Sequence, residues 1–171
     1  QQPSPACEVR ALPFRYASEP ELLAYDVSQL ESLFSAVHKS VGSGATRGER
    51  TNTLLYVEEL AADSRVAGLL AASAIGPLLV AQLRTATTSA MRLRLATALG
   101  LVLRSAPALP AHLARGDLTA VLAEAIHDGE RTRNSRLRRN ATAALGEARF
   151  YISVQQQSAW RRHHHGGGAI D

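Results

Sequence analysis

The densest cluster of chemically capable side chains is basic. Arg131, Arg133, Arg136, Arg138 and Arg139 place five guanidinium groups within nine positions. A guanidinium is always charged and presents a planar fork of donors that matches carboxylates and phosphates. The chemistry on offer is recognition of an acidic partner surface, and the plainer reading is a solvated loop and helix start. Arginine at a helix N-terminus opposes the helix dipole, so a cause beyond local stability is expected for this placement.

Other reactive groups are sparse. Cys7 is the only cysteine, stands in a stretch with no nearby histidine, and so makes a poor nucleophile. One cysteine allows no internal disulfide, which fits a reducing compartment. His163-His164-His165 is a short tract of metal-capable side chains, but Cys or carboxylate ligands are missing around it and glycines follow it. His38, His112 and His127 are isolated. No phosphate-binding glycine loop, nucleophile elbow or kinase catalytic motif occurs. Catalytic residues, cofactor-binding residues and metal ligands are therefore all expected to be none in this segment. Asn140-Ala141-Thr142 spells a glycosylation sequon, but on a helix that must pack.

The composition restricts partners further. The chain has 171 residues, 46% hydrophobic but only 5% aromatic, with a net charge of +4 and a pI near 9.8. Lys39 is the sole lysine. A small arginine excess raises the pI without creating a strong field, and few aromatics are available to stack on bases. Nucleic acid is not the expected partner. Residues 66–83 carry no charge and are long enough to raise the question of a membrane span. Gly76-Pro77 interrupts them, so two short buried helices are expected instead. The chain begins at Gln1, and an excerpt of a longer protein is expected.

Helices must position these groups. Alanine, leucine and arginine dominate, all strong helix formers. Residues 1–17, with three prolines, read as an extended leading segment. Ser18 and Glu21 fit a capping box, followed by Leu23, Val27, Leu30, Phe34 and Val37 on one helical face. Gly42-Ser43-Gly44 ends that helix. Further helices are expected over about 49–62, behind an Asp63-Ser64 cap, from Pro77, and from a Thr87-Thr88-Ser89 cap. Pro107 and Pro110 break the chain. A helix capped by Asp117 follows, then a polar loop from Asp128 to Asn134, then a last helix. Residues 18–157 form the expected helical domain, and 158–171 a low-complexity linker in which Trp160 could dock back.

One phrase recurs within this series. Residues 91–100 read MRLRLATALG and 137–146 read LRRNATAALG, 46 residues apart. Arg92 and Arg138 share a place in the phrase, as do Gly100 and Gly146. Upstream, residues 79–83 precede the first copy as 122–126 precede the second, with a loop three residues longer in the second. A period near 46 is typical of armadillo and HEAT repeats. The predicted fold is all-α, an armadillo/HEAT-like helical-repeat solenoid. A glycine inside a helix costs about 1 kcal/mol relative to alanine, so its recurrence predicts close helix contact or a bend. In the first copy Met91, Leu95, Ala98, Leu99 and Val102 should face the core while Arg92, Arg94 and Arg104 stand off it.

From Asn52 to Gln156 the chain resembles the armadillo/HEAT tail of Fused/Runkel-type serine/threonine kinases and pseudokinases. Residues 93–104 carry the resemblance, together with Ala143-Ala144-Leu145-Gly146-Glu147 and Phe150-Tyr151-Ile152-Ser153. Residues 113–118 are similar to the family's short inter-repeat turn, while Arg149 stands where the family usually has an aliphatic residue. The resemblance implies a longer protein with a kinase or pseudokinase domain outside this segment, acting as a non-catalytic scaffold. Implied partners are other proteins of a large axonemal or microtubule-associated assembly, with no nucleic acid and no membrane. Tubulin's acidic surface is one target for the arginines. Implied locations are the cytoplasm, cytoskeleton and motile cilium, in support of the axonemal central pair. Alternatives are the regulatory tail of an active kinase and another armadillo/HEAT structural protein of the axoneme.

Overall fold

The computed structural model describes residues 20–38, 46–104, 106, 109, 111–114 and 117–165. Every regular element among them is a helix: α1 (Pro20–His38), α2 (Arg47–Leu60), α3 (Ser64–Ala72), α4 (Ile75–Thr85), α5 (Ser89–Arg104), α6 (Ala111–Ala114), α7 (Leu118–Arg131) and α8 (Ser135–His165). The fold is all-α. Cys7, Ser18, the Gly42-Ser43-Gly44 stop, Pro107, Pro110 and the segment expected over 1–17 lie outside the described residues.

Local chemistry explains most helix starts. Thr46 and Glu49 form a reciprocal capping box that opens α2 two residues earlier than the apolar pattern implies. Asp63 accepts the N–H groups of Arg65 and Val66 and caps α3. Thr88 accepts the Met91 N–H ahead of α5 at 3.2 Å. Asp117 differs from expectation: it makes no cap bond, and its carboxylate pairs instead with Arg84 of α4 at 2.9 Å. α4 starts at Ile75 rather than Pro77, which takes the third helical position where its missing N–H is still harmless.

One apolar cluster runs from Val27 of α1 to Ala148 of α8. α5 lies at its centre, packed against α2, α3, α4, α7 and α8. The most extensive packings join α8 to α7 and α8 to α5. The expected apolar faces are buried: Val27, Leu30, Phe34 and Val37 on α1; Leu95, Ala98, Leu99 and Val102 on α5; Leu137, Ala141, Ala144, Leu145 and Ala148 on α8. No single described helix is long and apolar enough to cross a membrane. α3 and α4 qualify only as a pair, and they are bent by 72° at residues 73–74.

Two expectations about chain breaks change. The polar loop expected from Asp128 to Asn134 is largely helix, because α7 continues to Arg131. The α4–α5 and α7–α8 turns then have the same length, residues 86–88 and 132–134. The three extra residues of the second unit are absorbed as added helix at the end of α7. α8 likewise continues to His165 through the expected linker start at 158, since no glycine or proline occurs between Gly146 and Gly166. Trp160 does not dock back; it is 60% exposed and stacks on His164, one turn along its own helix.

Candidate partner-binding surface

The arginine cluster begins at a tight helix–helix turn. Asn134 N–H donates to the Gly129 carbonyl at 2.8 Å and Arg133 N–H donates to Glu130 at 3.2 Å, the two bonds of a Schellman motif. Arg133 occupies the left-handed position with φ 55°, where glycine is usual. Asn134 then caps α8, its Oδ1 accepting the Leu137 N–H at 3.0 Å. Gly129 permits the close approach: a Cβ there would lie 2.7 Å from the Arg138 backbone nitrogen.

The extra turn of α7 carries a buried acid where the residue pattern predicts a loop. Asp128 is 5% exposed. Its carboxylate pairs with Arg92 Nη1 at 2.7 Å and with Arg131 Nη2, and lies 3.5 Å from Ser89 Oγ. Arg92 sits in the first turns of α5, so the carboxylate also faces the positive end of that helix. The Arg92 guanidinium, then Arg131, holds the Asp128 carboxyl below the usual carboxylate range against the opposing effect of burial. Arg92 therefore does not stand off into solvent as expected; its side chain is 27% exposed and ties α5 to α7. A polar residue in a pattern of apolar periodicity was the available signal: Asp128 falls three positions after Ala125 on the buried face of α7.

The five predicted residues are thereby divided. Arg131 is engaged by Asp128, although its side chain stays 65% exposed. Arg133, Arg136, Arg138 and Arg139 are exposed. Arg136 and Arg139 stand at the head of a stripe that continues through Ala143, Gly146, Phe150 and Val154 at helical spacings of 3, 4, 3, 4 and 4. All six are exposed, with Phe150 at 62% and Val154 at 44%. Phe150 also carries the family resemblance, but its exposure depends on helix phase and packing rather than on residue type.

Beside this stripe runs the seam between the two copies of the repeated phrase. Asn140 Nδ2 donates to Thr97 Oγ1 at 2.8 Å, which also engages the amide of the sequon. A Cβ on Gly100 would lie 3.3 Å from the Ala144 Cβ. The seam opens outward as a depression of about 240 Å³ lined by Thr97, Gly100, Arg104, Asn140, Ala143 and Glu147. Further along, Tyr151 donates its hydroxyl to the Ala106 carbonyl, and Gln155 donates to Leu109 at 2.6 Å. Burial, then the Glu147 charge, pushes the Tyr151 phenol above its ordinary range. Among the described residues α8 is thus pinned on one side and uncovered on the other. No group of three His, Cys, Asp or Glu side chains is placed to share a metal ion among the described residues.

No protein-family model matches the chain, and no solved structure matches it. Among curated proteins it is similar to the serine/threonine-protein kinase RUNKEL of Arabidopsis thaliana, 32% identical over 116 residues. That match takes in 68% of this chain and 8% of the plant protein. The chain is therefore similar, over two thirds of its length, to a short part of a much longer plant serine/threonine kinase.

Proposed function

We propose that this chain is a non-catalytic, armadillo/HEAT-like repeat segment of a Fused/Runkel-type kinase-like protein, and that it binds other proteins through the outer face of α8. The observation that carries this reading is the register between the copies of the phrase. α5 receives α8 on the face that holds Thr97 and Gly100. Among the described residues no helix packs on the equivalent face of α8, where Ala143 and Gly146 are exposed, and nothing lies within 4 Å of a Cβ built on Gly146. A further helix docked there would repeat the α5–α8 packing.

Charge and chemistry specify the occupant. α8 carries six arginines and one glutamate, Glu147. Arg136 and Arg139 adjoin the apolar surface of Phe150 and Val154, which suits an acidic amphipathic helix. The family resemblance directs this surface toward axonemal or microtubule-associated proteins at the cytoskeleton of motile cilia. The second reading, a regulatory tail, is favoured by the plant relative's description as a kinase. On that reading the acidic occupant belongs to the kinase domain itself.

The test is an axonemal-extract pull-down with the chain and its Arg136→Glu, Arg139→Glu, Phe150→Ala triple variant. All three side chains are exposed, so helicity should persist while capture of axonemal proteins falls by about tenfold or more, the loss of two charged contacts and one aromatic anchor. Undiminished capture by a folded triple variant would remove the α8 face from consideration.

A further inference from the structure

A groove elsewhere on the molecule complements the α8 face. α1 lends it Glu31, Ser32 and Ser35, α4 lends it Pro77, Leu78 and Ala81, and its volume is about 630 Å³. Pro77 and Ala81 are exposed and Leu78 is half-buried, so the α4 wall is apolar and open to solvent. α1 packs on α2, α3 and α4, whereas α8 packs on α5 and α7. The groove and the α8 face therefore share no residue, and one copy can use both at once.

The two surfaces match in shape. Phe150 and Val154, 62% and 44% exposed, form a ridge along one turn of α8. Pro77 and Ala81 span one turn of α4 beside α1. Seating the ridge against Pro77 and Leu78 would remove exposed apolar surface from both partners.

They also match in charge. α1 holds three carboxylates, Glu21, Asp26 and Glu31, and no lysine or arginine. α8 holds six arginines and one glutamate. No ion pair among the described residues engages Glu31, Arg136 or Arg139. Charge decides which surfaces of two copies can meet. α8 against α8 sets arginine against arginine, and α1 against α1 sets carboxylate against carboxylate. Only α8 against the α1–α4 groove brings opposite charges together.

We propose that the occupant of the α8 face is the α1–α4 groove of a second copy of this chain. Phe150 and Val154 enter the groove, and the arginines of α8 are drawn to the carboxylates of α1. The contact is head-to-tail, so each copy keeps one free face and association continues past the dimer. This rests on the α8 reading above and names the partner of that face.

Sedimentation equilibrium of the chain at low salt tests the proposal. The average mass should rise with concentration beyond that of a dimer, and fall back at about 1 M salt, where charges are screened within about 3 Å. Glu31→Arg with Ser32→Arg reverses the charge of the groove and keeps good helix formers there. Arg136→Ala, Arg139→Ala, Phe150→Ala removes the ridge and its nearest charges. Each variant alone should associate more weakly by about tenfold or more. Mixed, the two should form a one-to-one dimer that grows no further, because each supplies the face that the other lacks. Misfolded variants could not give that rescue.

The proposal is overturned if the parent stays monomeric at about 1 mM, if it stops at a dimer, if the folded groove variant assembles as the parent does, or if the mixture forms no dimer. A monomeric parent whose glutamate triple variant still loses axonemal capture would overturn this inference and leave the α8 reading standing. Assembly through both faces beside undiminished capture by that variant would uphold this inference and remove axonemal proteins from the α8 face.

Discussion

The two copies of the repeated phrase have nearly the same residues and opposite surroundings. In α5 the phrase is packed on every side that matters: Arg92 is tied to buried Asp128, Thr97 to Asn140, and Gly100 lies against Ala144. In α8 the same places hold exposed Arg138, exposed Ala143 and a glycine with open space. A repeat motif thus encodes a packing surface and leaves open whether the surface is filled. The first copy is filled by the second. The second lies on the last described helix, and its exposed surface is where binding is proposed.

The turn that joins the copies should be the most sensitive point. Gly129→Ala puts a Cβ 2.7 Å from the Arg138 backbone nitrogen, which no side-chain rotation relieves. Destabilisation by about 3 kcal/mol is expected in urea unfolding, at the upper end for overpacking. A neutral outcome would mean that α7 and α8 do not meet as closely as the Schellman turn requires.

Removing the acid beneath the first copy comes next. Asp128→Ala strands Arg92, and a loss of about 2–3 kcal/mol is expected, since Arg92 retains some water. The sign of the pH effect follows from the lowered carboxyl. The stabilising contribution of Asp128 is complete above the ordinary carboxylate pKa of about 3.9. It is lost as pH falls through the still lower folded value. Stability curves for parent and Asp128→Ala should therefore converge at strongly acid pH; curves that stay parallel would remove the ion pair as the cause.

The smallest effects bear most directly on the comparison. Gly146→Ala gains helix propensity with nothing to collide with, so stabilisation by about 1 kcal/mol is expected in thermal melts. Gly100→Ala gains the same propensity but meets Ala144 at 3.3 Å, so most of that gain should vanish. Equal gains at both positions would erase the distinction between the copies. A loss at Gly146 would indicate that its face is already covered by another helix in solution.

Much of the fold was legible in the residues. The apolar spacings of α1, α5 and α8 mark faces that are buried, because helical periodicity depends only on local geometry. The cap regions at Asp63-Ser64 and Thr87-Thr88-Ser89 could be read from side-chain type, and the structure selects Asp63 and Thr88 within them. Asp117 could not: its type suits a cap, but Arg84 stands close enough to take the carboxylate. Asp128 was missed because acids are rarely buried without partners, and its partner Arg92 lies 36 positions earlier. The candidate binding residues were half visible. Clustering marked the arginines, but only helix phase separated Arg136 and Arg139 on the stripe from Arg131 at the ion pair.

By itself the sequence determined an all-α chain, its helix faces, and the 46-residue recurrence of one phrase, all of which follow from composition and short-range spacing. Tertiary structure alone decided which copy is enclosed and which is bare. It also decided that three inserted residues extend α7 rather than lengthen a loop, and that Glu31 and Pro77 line one groove. These depend on contacts between residues far apart in the chain, where identical side chains acquire different neighbours and therefore different roles.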